Sequence, residues 1–214
     1  MWELLKIYKN EKIETPLIIN TNLGVSEKII SEFIEATREI KNIQIFTSCE
    51  TVREKAEYIR DGMSFELFEK NLRSILSCGN FKEVGIMATL TNLSVLHYTE
   101  FLNWVLEIKE EFGCLPKVHT NILRNPRYLS VKLLSEKNKE KSILTLESWL
   151  KENKGNNLLS VIEIETVQKL LKCLTDPKKD TSKNISELKK FLTQYDVERN
   201  KNHKILNLGF DDDL

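Results

Sequence analysis

Four times between residues 15 and 123, a short apolar run rich in β-branched residues gives way to a longer stretch with helical periodicity. Residues 15–20, 43–48, 83–91 and 117–123 are the short runs, and they are the lengths of buried strands. Between them, Ile29, Ile30, Phe33, Ile34 and Ile40 fall on one helical stripe, with Ser26 placed as N-cap. Phe65, Leu67, Phe68, Leu72, Ile75 and Leu76 form a second stripe that ends near Gly79. Phe101, Leu102, Val105, Leu106 and Ile108 form a third, stopped by Gly113. Strands that alternate with helices across short connections predict a parallel sheet with right-handed crossovers. Pro126 ends the fourth strand, because it has no backbone N–H to give to a ladder.

From Ser135 onward only helical patterns remain. A charged helix with Ile143, Leu146, Trp149 and Leu150 on one stripe comes first. The linker "KGNN" separates it from the amphipathic "LLSVIEIETVQKLLKCL". After the polar break "DPKKDTSKN", a last helix carries "YDVER" ahead of the acidic tail "DDDL". The predicted class is α/β, a partial (β/α) barrel of about four parallel strands with flanking helices. Residues 1–134 are expected to form the barrel portion and residues 135–214 a helical C-terminal extension.

Charge narrows the partners. The 214 residues carry 32 basic and 32 acidic side chains, so the net charge is zero. With no sustained basic field, neither nucleic acid nor a membrane surface is an expected partner. No apolar run approaches the ~20 residues of a membrane span. The first dozen residues, "MWELLKIYKNEK", are charged and lack a signal peptide's apolar stretch, so a cytoplasmic location is expected. Cys49, Cys78, Cys114 and Cys173 are far apart, which excludes a C-x2-C zinc ribbon or redox pair. There is no G-x4-G-K-S/T and no G-x-G-x2-G, so no phosphate loop is present. The acidic tail reads as a solvated segment rather than a metal site.

Ligands of parallel sheets gather at the carboxyl ends of the strands. Those ends carry Thr21 and Asn22, Ser48 and Glu50, Thr91 and Asn92, then residues 121–125. Polar strand ends also suit a purely structural layer that faces water there, and both readings stand on composition alone.

The order of motifs adds a resemblance. "TNLG" after one strand, "FTSCE" after the next, "AEYIRDGMSFELFEKNL" and the late "YDVER" together look like the barrel of a radical S-adenosylmethionine protein, most similar to those with a twitch domain. The resemblance implies that Ser48 and Arg60 contact S-adenosylmethionine, with Glu50 at the same strand end. Asn22 and Asn92, at neighbouring strand ends, are candidates for the same pocket. A hydroxyl suits a ribose or amino-acid group, and a guanidinium gives directional hydrogen bonds to a carboxylate. Without the resemblance, Arg60 reads as a surface ion pair with Asp61 or Glu57.

The family's C-x3-C-x2-C loop, which ligates a four-iron four-sulfur cluster, has no counterpart in these residues. The resemblance places residue 1 in the helix before the family's third strand, so the cluster loop and first strands are expected to lie outside this chain. No catalytic residue and no metal ligand is therefore assigned, and neither Cys49 nor Cys173 is read as a cluster ligand. The leading expectation is the C-terminal part of a radical S-adenosylmethionine enzyme acting on a peptide or small molecule, completed by a missing N-terminal half in cis or in trans. The alternative is a non-catalytic protein- or ligand-binding module derived from such a barrel. An unrelated α/β enzyme with its site at the same strand ends ranks last.

Overall fold

A computed structural model describes residues 1–113, 115–176 and 182–209. Helix α1 (Trp2–Asn10) leads into β1 (Leu17–Asn20) and α2 (Glu27–Thr37). β2 (Ile43–Ser48) is followed by a short α3 (Arg53–Ile59) and then α4 (Phe65–Cys78). β3 (Glu83–Leu90), α5 (Tyr98–Phe112) and β4 (Lys117–Ile122) complete the sheet. The remaining helices are α6 (Glu136–Glu152), α7 (Val161–Thr175) and α8 (Ser182–Arg199). The expected four strands and their helices are present, and α3 is an addition within a stretch the periodicity left as a connection. Cys114, most of the polar break (177–181) and the acidic tail lie outside the described residues.

The four strands pair parallel in sequence order, β1-β2-β3-β4. Such an order, with no reversal, is how a (β/α) barrel is wound, whereas a doubly wound sheet switches direction part-way. Successive residues of a strand face opposite sides, so burial separates the two faces. Leu17, Ile43, Ile45, Val84, Ile86, Ala88, Leu90 and Val118 are buried in one core with Phe33, Phe68, Leu72, Phe101 and Ile108 of the helices. Val167, Leu170 and Leu174 of α7 and Trp149 of α6 join that same core.

The opposite face carries Asn20, Gln44, Phe46, Ser48, Met87, His119 and Asn121, none of them buried. Ile18 and Met87 on it are 56% and 42% exposed. Parallel sheets are ordinarily covered on both faces. Phe46 and His119 meet edge to face at 5.5 Å across this open side, over Gly85. A Cβ at Gly85 would stand 2.7 Å from the Phe46 ring, so the glycine makes room for the pair.

Helix ends are fixed by local chemistry. Ser64 caps α4 through its hydroxyl, which accepts from the Leu67 amide at 3.3 Å. Glu57 accepts from the Phe65 amide at 2.7 Å, taking a second orphan donor of the same first turn. Gly79 then ends α4 in the left-handed region, φ 63°. Ser160 and Glu163 form a reciprocal capping box on α7.

Glu163 does more than cap. Lys109 of α5, 1% exposed, donates to both its carboxylate oxygens at 2.7 and 2.8 Å, and the Glu163 side chain is 3% exposed. The Val118 amide of β4 donates to it at 2.9 Å, and Lys109 also donates to the Leu158 carbonyl at 3.0 Å. Burial raises the Glu163 carboxyl's pKa, but the Lys109 ammonium and the Ser160 and Val118 donors outweigh it and hold the group below its ordinary value. This buried pair ties α5, α7 and β4 together.

Candidate functional site

At the carboxyl ends of β1 and β2 lies a cleft of roughly 300 Å³, whose walls include Asn22, Gly24, Ser48, Arg60, Met63 and Ser64. Three of the five predicted residues, Asn22, Ser48 and Arg60, are therefore brought together. Ser48 closes β2 on the open face of the sheet, half-buried, and its hydroxyl has no hydrogen-bond partner among the described residues.

Arg60 is the C-cap of α3. Its Nε donates to Glu50 Oε2 at 2.8 Å and its Nη2 donates to Glu50 Oε1, a two-pronged pairing. Glu50 lies beneath, buried, and its Oε1 also accepts from the Thr89 amide of β3 at 3.3 Å. Glu50 thus does not line the cleft; it anchors the guanidinium to the sheet. Nη1 of Arg60 has no partner among the described residues. The simpler expectation, a pair with Asp61 or Glu57, gives way here: Asp61 is engaged by Arg199 and Lys201, and Glu57 caps α4.

The loop after β1 is held by a residue of the "AEYIRDGMSFELFEKNL" motif that periodicity marks only as a polar position on a helix. Asn71 of α4, buried, donates to the Leu23 and Val25 carbonyls at 2.7 and 2.8 Å. Leu23 adopts φ 54°, a region unfavourable for a residue with a Cβ, and these two bonds hold it there. Asn22 Oδ1 accepts from the Gly24 amide at 3.0 Å in a local turn, which presents Asn22 at the cleft.

Asn92 is not among the residues lining this cleft. It is buried, and its Nδ2 donates to the Tyr128 carbonyl at 3.0 Å while its amide donates to the Leu129 carbonyl at 3.0 Å. It fastens the segment after β4 to the end of β3.

Cys49 lies between Ser48 and Glu50, facing the core. It is buried, its thiol donates to the Thr51 carbonyl at 3.0 Å, and burial and the Glu50 charge push its pKa up to about 12. That environment keeps the sulfur protonated and inert toward metals. Cys78 and Cys173 sit on α4 and α7, and no grouping of three or more His, Cys, Asp or Glu among the described residues could hold a metal ion. The described residues do not fit an iron–sulfur cluster. No helix among them is long and apolar enough to cross a membrane.

No family model matches the chain, and no curated protein matches it. A solved structure, native anSMEcpe with bound AdoMet and Cp18Cys peptide, is similar to it with a TM-score of 0.48 at 14% identity over 74% of this chain. The chain covers 43% of that one. A likeness at this level speaks to neither chemistry nor partners.

Proposed function

We propose that this chain is a barrel wall that holds S-adenosylmethionine, in the manner of a radical S-adenosylmethionine protein whose cluster-binding part is supplied by a further polypeptide segment. The observation that carries the reading is the Glu50–Arg60 pairing beside Ser48. A carboxylate beneath the guanidinium fixes its plane, so that Nη1 remains available to a ligand carboxylate. Ser48, with an uncommitted hydroxyl on the open sheet face, is the group for a ribose or amino-acid oxygen. Asn22, at the same cleft, supplies an amide for a further polar contact.

In radical chemistry of this kind, S-adenosylmethionine is the source of a 5′-deoxyadenosyl radical when a four-iron four-sulfur cluster reduces it. The described residues bring no three cysteines together for that cluster, so no step through it is assigned to this chain. What these residues do is bind and orient. The open sheet face supports a partner segment that covers it, since Ile18 and Met87 would otherwise stay in water on a parallel sheet. A peptide or small molecule is the substrate class this reading implies.

A nitrogen-15 chemical-shift titration with S-adenosylmethionine tests the reading. The amides of Gly24, Ser48 and residues 60–64 are expected to shift together, with methionine alone giving a weaker version of the same pattern. Shifts confined to α8, or none at millimolar ligand, would defeat it.

A further inference from the structure

The "YDVER" segment has no role in the cleft as described, yet three of its four polar side chains, those of Tyr195, Asp196 and Arg199, bond to Tyr58 or Asp61, close in sequence to Arg60. Tyr195 donates its hydroxyl to the Tyr58 carbonyl at 3.0 Å, and its ring lies 5.4 Å from that of Tyr58. Asp196 accepts from the Tyr58 hydroxyl at 2.8 Å, and its other oxygen is engaged by the His203 backbone amide at 2.9 Å and ring at 2.6 Å. Arg199 donates to Asp61 at 2.9 Å. Just beyond the helix, Lys201 donates to the Glu57 carbonyl at 2.6 Å and pairs with Asp61 at 2.9 Å. Beneath these contacts Leu188, Leu192 and Leu206 are buried with Tyr58 and Leu93 in a core separate from that of the sheet.

Arg60 is the residue that follows α3, and the last carbonyls of a helix have no partner within it. Here those of Glu57 and Tyr58 are satisfied by Tyr195 and Lys201, from more than 130 residues away. Asp61, on the other side of Arg60, is fixed by two cations of the same C-terminal segment. The chain is thus held on both sides of Arg60, through backbone carbonyls before it and the Asp61 carboxylate after it, while Glu50 grips the side chain. The turn from Gly62 to Ser64, which completes the cleft wall, runs from that grip to the N-cap of α4, with the Met63 amide donating to the Arg60 carbonyl at 3.1 Å.

We infer that α8 and the strap after it position Arg60 for its ligand, with Tyr195, Arg199 and Lys201 as positioning residues that do not touch the ligand themselves. The inference rests on the S-adenosylmethionine reading of the cleft. It makes the C-terminal helix part of the binding site's architecture rather than an appendage.

Tyr195→Phe removes one hydroxyl donor and keeps the ring; Lys201→Met removes an ammonium that meets Glu57, Tyr58 and Asp61 and keeps the aliphatic stem. Lys201→Arg keeps the charge and donors. Each variant is titrated with S-adenosylmethionine, and hydrogen exchange is followed at the Arg60 side-chain Nε and at backbone amides 60–64. Urea midpoints serve as the control for general destabilisation. The expected result is a Kd raised about tenfold in Lys201→Met, which loses charge-assisted contacts, and by a smaller factor of about threefold in Tyr195→Phe, which loses one neutral hydrogen bond. Exchange at Arg60 should quicken while β3 and α5 amides stay unchanged, and Lys201→Arg should bind within about twofold of the parent. Unchanged affinity and unchanged Arg60 exchange in both variants would overturn the positioning role. Failure of the parent chain to bind S-adenosylmethionine would overturn the functional reading instead, and the exchange data alone would then decide whether the strap fixes Arg60.

Discussion

Glu50→Gln perturbs the site at its anchor. The Glu50 side chain is 5% exposed and Arg60 32% exposed, and the carboxylate receives two guanidinium bonds and the Thr89 amide. Breaking a fully buried ion pair costs about 3–5 kcal/mol, chiefly because one charge is left without its partner. Arg60 keeps a third of its surface in water, which returns part of that cost, and glutamine still accepts from Thr89 with its carbonyl oxygen. The expected destabilisation is therefore about 2 kcal/mol. Urea unfolding followed by tryptophan fluorescence measures it, with a lowered midpoint and an unchanged slope. A double-mutant cycle with Arg60→Met should recover a coupling of about 1–2 kcal/mol. A loss below ~0.5 kcal/mol with no coupling would show that the pair does not anchor the guanidinium, and the premise that Arg60 is pre-oriented would fall with it.

Other consequences follow from the buried groups. Lys109→Met strands the Glu163 carboxylate in the core and should cost about 3–5 kcal/mol in the same urea assay, against under ~1 kcal/mol for an exposed lysine such as Lys28. Because the Glu163 pKa is held below its ordinary value, its contribution is fully present above about pH 4.5 and is lost as pH falls through the folded-state value. Glu163→Gln should accordingly flatten the acid limb of the stability–pH curve, and an unaltered limb would contradict the assignment. Asn71→Ala removes both bonds to the Leu23–Val25 loop and should speed amide exchange at Leu23 to Val25 at a cost of about 1–3 kcal/mol. Native-state alkylation at pH 8 should leave Cys49 unmodified until the chain unfolds, as peptide mass mapping would show; prompt labelling would contradict its burial.

Much of the fold was legible because its signals are local. A period of two or an unbroken apolar run marks a strand, a period near 3.6 marks a helix, and the four alternations predicted the parallel order. The helix α3 was missed since its seven residues carry too few apolar positions to set a period. Ser48 and Arg60 were placed by their resemblance to a family's motif order, and the cleft brings them together. The Glu50–Arg60 pairing was not legible: ten residues and a loop separate the partners, and nothing in spacing says which of Glu50, Glu57 or Asp61 the guanidinium meets. Lys109 and Glu163 read as ordinary charges on amphipathic helices, because only the packing of α5 against α7 buries them. The docking of "YDVER" on Tyr58 and Asp61 depends on a contact across more than 130 residues, which periodicity cannot report.

In the proposed function, Ser48 and Arg60 form one binding wall for S-adenosylmethionine. Calorimetric or NMR titration of the chain with S-adenosylmethionine, beside Arg60→Met and Ser48→Ala, tests it most directly. Saturable binding by the parent is expected, weakened about tenfold or more by Arg60→Met and by a smaller factor by Ser48→Ala. Binding that is absent in the parent, or indifferent to Arg60→Met, would contradict it.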